Sequence, residues 1–190
     1  AYRSGEKLVN EYDGAIHDYT RKGGIVHTEI LLPDNAPPAF SDRSALWNAV
    51  ERIEKAKNAQ LAREIEIALP HELTREQGVS LVREYVKYYF VAAGMCADVC
   101  LHDKNDGNPH AHILLTMRPI EKDGAWGAKQ KKEYILDRDG NKIYDPKKRQ
   151  YKCKSVPATD WNEQTKAEEW RAAWAEICNS YLEKGNHTER

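Results

Sequence analysis

The chain has 190 residues, of which 41% are hydrophobic and 31% charged, and its net charge is −1. These values suit one soluble globular domain with an ordinary core and a heavily charged surface. They exclude collagen, a coiled-coil rod and a membrane-spanning helix, because no apolar run nears the roughly 18 residues that a bilayer demands.

Residues 1–22 are polar and weakly periodic, with Gly5 and Gly14 and three tyrosines. Ile25 to Leu32 reads as a strand stopped by Pro33. After Pro37-Pro38, Ser41 or Asp42 can cap a helix that carries Leu46, Trp47, Val50 and Ile53 on one face and fades near Lys57. Arg63 to Leu69 alternates charged and apolar residues before Pro70, the period of a half-buried strand with Glu64 and Glu66 on one face. Thr74-Arg75-Glu76-Gln77 is a capping box, and Leu81, Val82, Tyr85, Val86, Tyr89 and Phe90 form the apolar stripe of a helix that Gly94 ends. Cys96 to His102 and His110 to Met117 are strand-like runs joined by turn formers, an antiparallel hairpin. Glu133 to Leu136 and Lys142 to Tyr144 flank Asp137-Arg138-Asp139-Gly140-Asn141 and read as a second, projecting hairpin. Asp160 to Glu163 opens a last helix with Trp170, Trp174, Ile177, Tyr181 and Leu182 at helical spacing, closed by Gly185. This order predicts an α+β fold in which helices cover one face of an antiparallel sheet.

Strand parity then places chemistry on the other face. His110, His112, Leu114 and Thr116 share one side of their strand, and Cys96, Asp98, Cys100 and His102 share one side of the preceding strand. A lone H-x-H is ordinarily two surface histidines. A third histidine on the paired strand and the same face changes that, and His102, His110 and His112 converge as a divalent-metal site on the open sheet face with positions left for a substrate oxygen. Cys100 lies beside this site as a neighbour. The four cysteines, Cys96, Cys100, Cys153 and Cys178, contain no C-x-x-C pair and read as reduced thiols. The first residues lack the apolar stretch of a signal peptide, so action in the cytoplasm is expected.

Gly107-Asn108-Pro109-His110-Ala111-His112-Ile113-Leu114-Leu115 resembles the H-hydrophobic-H motif of the MobA/MobL conjugative relaxases, a bacterial family of HUH endonucleases. Ala1-Tyr2-Arg3-Ser4-Gly5-Glu6-Lys7-Leu8 resembles the first motif of that family. Arg63 to Pro70 with Glu72-Leu73 resembles its second, and Trp161 to Leu182 is similar to the helix that ends its nicking domain. The match runs in order over essentially the whole chain. It implies one relaxase domain over residues 1–190, lacking the strand that precedes the tyrosine helix and any C-terminal extension. It implies Tyr2 as nucleophile, His102, His110 and His112 as ligands of Mg²⁺ or Mn²⁺, and Glu64 as an acidic active-site residue. Glu66 has the same parity and rivals Glu64, while Tyr19 is the second choice of nucleophile. The implied reaction is strand-specific nicking and rejoining of DNA at an origin of transfer through a 5′-phosphotyrosine, in company with other relaxosome and conjugation proteins. A replication initiator with the same chemistry, a hydrolytic metallonuclease and a non-enzymatic single-stranded DNA-binding module are the rival readings.

Charge is unevenly spread. Lys122 to Lys154 holds eleven basic and five acidic residues, a local +6 in a chain that is otherwise acidic. Lys129, Lys131, Lys132, Lys147, Lys148 and Arg149, interleaved with Trp126, Tyr134, Tyr144 and Tyr151, have the composition of a single-stranded DNA contact: cations for phosphates and rings for stacking. The plain alternative is a solvated face.

Overall fold

In the computed structural model, which describes residues 1–185, the chain opens with a turn at residues 2–5 and a short hairpin of β1 (Lys7–Val9) and β2 (Ile16–Asp18). Both strands are three residues long and largely exposed, so no burial period marks them. Next come β3 (Ile25–Leu31), α1 (Arg43–Ile53), β4 (Ala62–Ala68), α2 (Arg75–Val86), β5 (Ala97–His102) and β6 (His110–Thr116). Of the two cap candidates, Ser41 and Asp42, it is Asp42 that caps α1, through the Ala45 N–H at 2.8 Å. The helix stops at Ile53, short of Lys57, where Glu54 leaves helical geometry and accepts the Arg118 Nε–H at 2.7 Å. Both halves of the Thr74–Gln77 capping box are made. Beyond Val86 the helix widens into a π turn over Lys87–Val91, and the chain turns at Gly94 with φ +97°.

Strands β3, β5, β6 and β4 form one antiparallel sheet in that order. Ala97, Val99, Ala111, Ile113 and Leu115 on one face are completely buried. Helices α2 and α3 (Thr165–Lys184) serve this face. Arg83 of α2 pairs with Glu29, which lies opposite Val99. The guanidinium of Arg63, opposite Leu115, lies over the Trp170 ring, and the Tyr85 hydroxyl donates to the Trp170 carbonyl. Trp170 and Trp174 are half-buried and pack on the core from α3: Tyr85 meets Trp174 and Phe90 meets Trp170 edge-on. Helix α1 covers part of the opposite face, because Leu46 packs on Cys96 and Arg43 and Trp47 reach Asp98. The histidine face is thus closed by α1 at its Cys96–Asp98 end, while at its other end His110 and His112 stay half-buried beside the buried His102.

By contact density the chain forms two compact units, one of residues 1–127 with the segment from Glu168 onward, the other of residues 128–167. The second unit holds β7 (Gln130–Tyr134), β8 (Tyr144–Asp145), β9 (Gln150–Tyr151) and β10 (Cys153–Pro157). The expected hairpin is present only at its tip. Asp137 Oδ1 accepts from the N–H groups of Asp139 and Asn141, and Leu136 bridges Lys142. The strand before it pairs instead with β10, and Tyr144 pairs with Tyr151. A second turn, with Arg149 at φ +51°, sends the chain back so that distant residues form the longer ladder. The final helix begins at Thr165, later than Asp160, because Asp160 to Glu163 is spent on a turn closed by the Glu163 N–H on the Asp160 carbonyl. No described helix is long and apolar enough to cross a membrane.

Candidate active site

Register builds the site. His102 stands directly opposite His110 and Cys100 opposite His112, so three imidazoles share one end of one face. Ring centroids are 5.3 Å apart for His102 and His110, 4.7 Å for His102 and His112, and 5.2 Å for His110 and His112. One ring nitrogen from each lies within 4.8 Å of the others, so the group could hold a metal ion.

Each ring also has one nitrogen in a hydrogen bond. His112 Nδ1 lies 2.9 Å from Glu64 Oε1, His110 Nδ1 lies 2.9 Å from the Asn108 carbonyl, and His102 Nε2 lies 2.6 Å from the Arg3 carbonyl. Carbonyl and carboxylate oxygens only accept, so these nitrogens carry protons and leave one lone pair per ring for a cation, the usual arrangement of ligand histidines. Burial lowers the pKa of His102, against the pull of the Arg3 carbonyl, and the charges of Lys22, His112 and His110 lower it further. A neutral imidazole is the form that binds a metal. The donor set fits a divalent ion of the first transition row.

Glu64 is tied on both sides. Its two oxygens accept from Nε and Nη2 of Arg3, and Oε1 also meets His112. The Arg3 hydrogen bonds hold the carboxyl below its ordinary value in spite of partial burial, with His112 adding to the effect. Glu66, the rival on the same face, stands 3.7 Å from His112 Nδ1 and is 62% exposed.

Tyr2 occurs in the turn at residues 2–5, not in a helix. Gly5, at φ +65°, closes that turn, and a Cβ there would come within 2.4 Å of Ile25 Cδ1. Ile25 is the register partner of His102, and the left-handed φ at Gly5 favours a glycine where the turn settles at the histidine end of the sheet. The Tyr2 ring is 57% exposed, flanked edge-on by Tyr19 and faced by the Lys22 ammonium.

Arg3 links Tyr2's turn to both His102 and Glu64, yet sequence spacing assigns it nothing, since its partners are 99 and 61 residues away. The same is true of Arg43. Its guanidinium makes two 2.8 Å bonds to Asp98 and one 2.5 Å bond to Glu6, joining the amino-terminal segment to β5. Burial opposes the charge, but Asp98 and Glu6 outweigh it and push the Arg43 pKa up. Cys100, beside the histidines, is buried, and burial with the nearby Asp98 charge pushes its thiol up to about 12.

In the second unit Lys131, Lys132, Lys147, Lys148 and Arg149 are exposed and Lys129 is half-buried. The rings of Tyr134 and Tyr144 both approach Tyr151, with centroids at 6.2 and 5.4 Å, and Lys142 Nζ lies 4.0 Å from the Tyr134 ring centre.

The sequence model of the MobA/MobL family matches residues 1–190. A probable mobilization protein MobA of Bifidobacterium longum is 36% identical over 199 residues, which cover 97% of this chain and 35% of that protein. The conjugal transfer protein TraA of Agrobacterium fabrum is 44% identical over 153 residues, 75% of this chain and 14% of that protein. The mobilization protein MobL of Acidithiobacillus ferridurans is 33% identical over 215 residues, 100% of this chain and 51% of that protein. The chain thus spans about half the length of these relatives or less. A solved structure described as "Molecular Basis of Vancomycin Resistance Transfer in Staphylococcus aureus" superposes with a TM-score of 0.82 at 34% identity, covering 100% of this chain and 86% of that one.

Proposed function

The chain belongs to the MobA/MobL family of mobilization proteins, and from that premise we propose that it nicks and rejoins one DNA strand at an origin of transfer through Tyr2. The observation that carries the proposal is the meeting of His102, His110 and His112 by strand register, with the Tyr2 turn tied to the same cluster through Arg3.

The Tyr2 hydroxyl attacks phosphorus. An oxygen–phosphorus bond forms to the ring and the bond to the 3′-oxygen breaks, giving a 5′-phosphotyrosine and a 3′-hydroxyl. The proton lost by the phenol is matched by the one the 3′-oxygen takes up. The exchange keeps one phosphodiester, so the 3′-hydroxyl can reverse it and reseal the strand. His102, His110 and His112 would hold a divalent cation, which when bound withdraws charge from a non-bridging phosphate oxygen and aligns the scissile group. Three neutral imidazoles favour Mn²⁺ over the harder Mg²⁺. Glu64 acts on His112 and not as the base for Tyr2. A carboxylate held ionised by two Arg3 hydrogen bonds is a weak proton acceptor and a good anchor for an imidazole N–H.

Lys129, Lys131, Lys132, Lys147, Lys148 and Arg149 contact the backbone of single-stranded DNA, and Tyr134, Tyr144 and Tyr151 stack on its bases. The reaction takes place in the bacterial cytoplasm, beside other relaxosome and conjugation proteins.

The test is denaturing electrophoresis after incubation with Mn²⁺ and a single-stranded oligonucleotide carrying the nick site. The parent gives a covalent adduct, and Tyr2→Phe binds the DNA but gives none. An adduct in Tyr2→Phe that disappears in Tyr19→Phe assigns the reaction to Tyr19 and refutes the choice of Tyr2.

A further inference from the structure

The nicking chemistry leaves two cations beside Tyr2 without a task. Lys22 Nζ donates to the Tyr2 carbonyl at 3.1 Å and lies 3.7 Å from the centre of the Tyr2 ring. The ammonium is therefore anchored to the residue that attacks. From the ring opens a shallow cavity of about 590 Å³, lined by Tyr2, Lys22, Gly24, Asp103, Lys104 and Asn105. Its two walls are tied together where the Asp103 N–H donates to the Gly24 carbonyl at 2.8 Å. Gly24 adopts φ +80°, and a Cβ there would come within 2.7 Å of Lys104 Cγ, so the bare glycine makes room for the lysine stem.

Neither lysine forms an ion pair among the described residues. The acidic group in the lining, Asp103, spends Oδ1 on the Asn105 N–H at 2.7 Å. Two ammonium groups against one carboxylate leave the cavity positive. A DNA strand that offers one phosphate to Tyr2 must carry its neighbouring phosphate away one nucleotide further on, and this cavity is a cationic path that starts at the nucleophile.

We propose that Lys22 and Lys104 form a second phosphate subsite, which holds the DNA backbone phosphate next to the scissile one. The assignment rests on Tyr2 being the nucleophile. These lysines touch no reacting atom; they grip the strand so that the phosphate facing Tyr2 stays in register.

Binding is read separately from cleavage, without metal, by the fluorescence anisotropy of a labelled oligothymidylate of about twelve nucleotides at several salt concentrations. Lys22→Met and Lys104→Met keep the aliphatic stem. Each weakens binding and lowers the log–log salt slope by about 0.7, and the pair lowers it by about 1.4. Lys22→Met also removes the bond to the Tyr2 carbonyl, whereas Lys104 makes no side-chain hydrogen bond or ion pair among the described residues, so its variant reads phosphate contact alone. Arginine at either position restores the slope, and Lys55→Met, on an exposed stretch outside the cavity, leaves it unchanged. An unaltered slope in the double variant overturns the subsite, even where the parent forms its Tyr2 adduct. A lowered slope with no adduct from the parent instead overturns the nicking proposal and the assignment of the neighbouring phosphate with it.

Discussion

The histidine end of the four-stranded sheet and the ribbon of residues 128–167 are built on opposite plans. At the sheet, side chains are held by strand register and by hydrogen bonds: each histidine has a fixed partner, and Arg43 and Asp98 are almost wholly buried. In the ribbon, strands of two to five residues carry exposed lysines and tyrosines whose partners are mostly solvent and one another. The first arrangement fixes atoms to within a bond length, as chemistry requires; the second offers charge and ring surface that tolerate many strand sequences. Under the proposed function, position falls to the sheet end and much of the strand affinity to the ribbon, and substitutions should separate them.

The largest effect is expected at Arg43. Arg43→Met leaves Asp98 charged and buried, which costs about 3–5 kcal/mol in urea unfolding; a loss under about 1 kcal/mol would class the pair with surface bridges. Glu64→Gln should keep the fold and weaken Mn²⁺ binding about 10–100-fold by releasing His112, measured by calorimetric titration. Unchanged affinity would break the claim that the sheet end works through its supporting bonds. Replacing Lys147, Lys148 and Arg149 by Ala should reduce the salt slope of oligonucleotide binding by about 0.7 per lost contact and leave cleavage at saturating DNA near the parent rate. A slope that does not move returns the ribbon to a solvated face.

The smallest effect is chemical. The Cys100 thiol, pushed up to about 12 by burial and the Asp98 charge, stays protonated through neutral and mildly alkaline pH, since a raised thiol pKa moves the thiolate to higher pH. Cys153 is exposed. Iodoacetamide at about pH 8, near the ordinary thiol range, should label Cys153 and spare Cys100 in the native protein. Equal labelling would mean that the sheet end opens as readily as the ribbon.

Much of the sheet end was legible because its signals are local. Alternation in His110 to Met117 and in Cys96 to His102 places the faces, a loop of turn formers fixes which strands pair, the Thr74 capping box starts its helix as expected, and Asp42, one of two cap candidates, starts α1. The contacts that tie the amino terminus to the sheet were not legible. Arg3 to Glu64 and Arg43 to Asp98 join residues 61 and 55 apart, and no periodicity reports such a pair. Helix α1 on the histidine face follows from the same kind of contact, through Leu46 on Cys96. In the ribbon, the Asp-Gly-Asn turn was real, but pairing beyond the tip was decided by a second turn at a residue, Arg149, whose type does not announce a positive φ.

Whether His102, His110 and His112 act together as one cation site is decided by titrating the protein with Mn²⁺ and following the signal of the free ion by electron paramagnetic resonance. One bound ion per chain is expected in the parent and none in the His110→Ala/His112→Ala variant, with the fold intact by circular dichroism. A variant that still takes up one ion per chain would contradict a shared site.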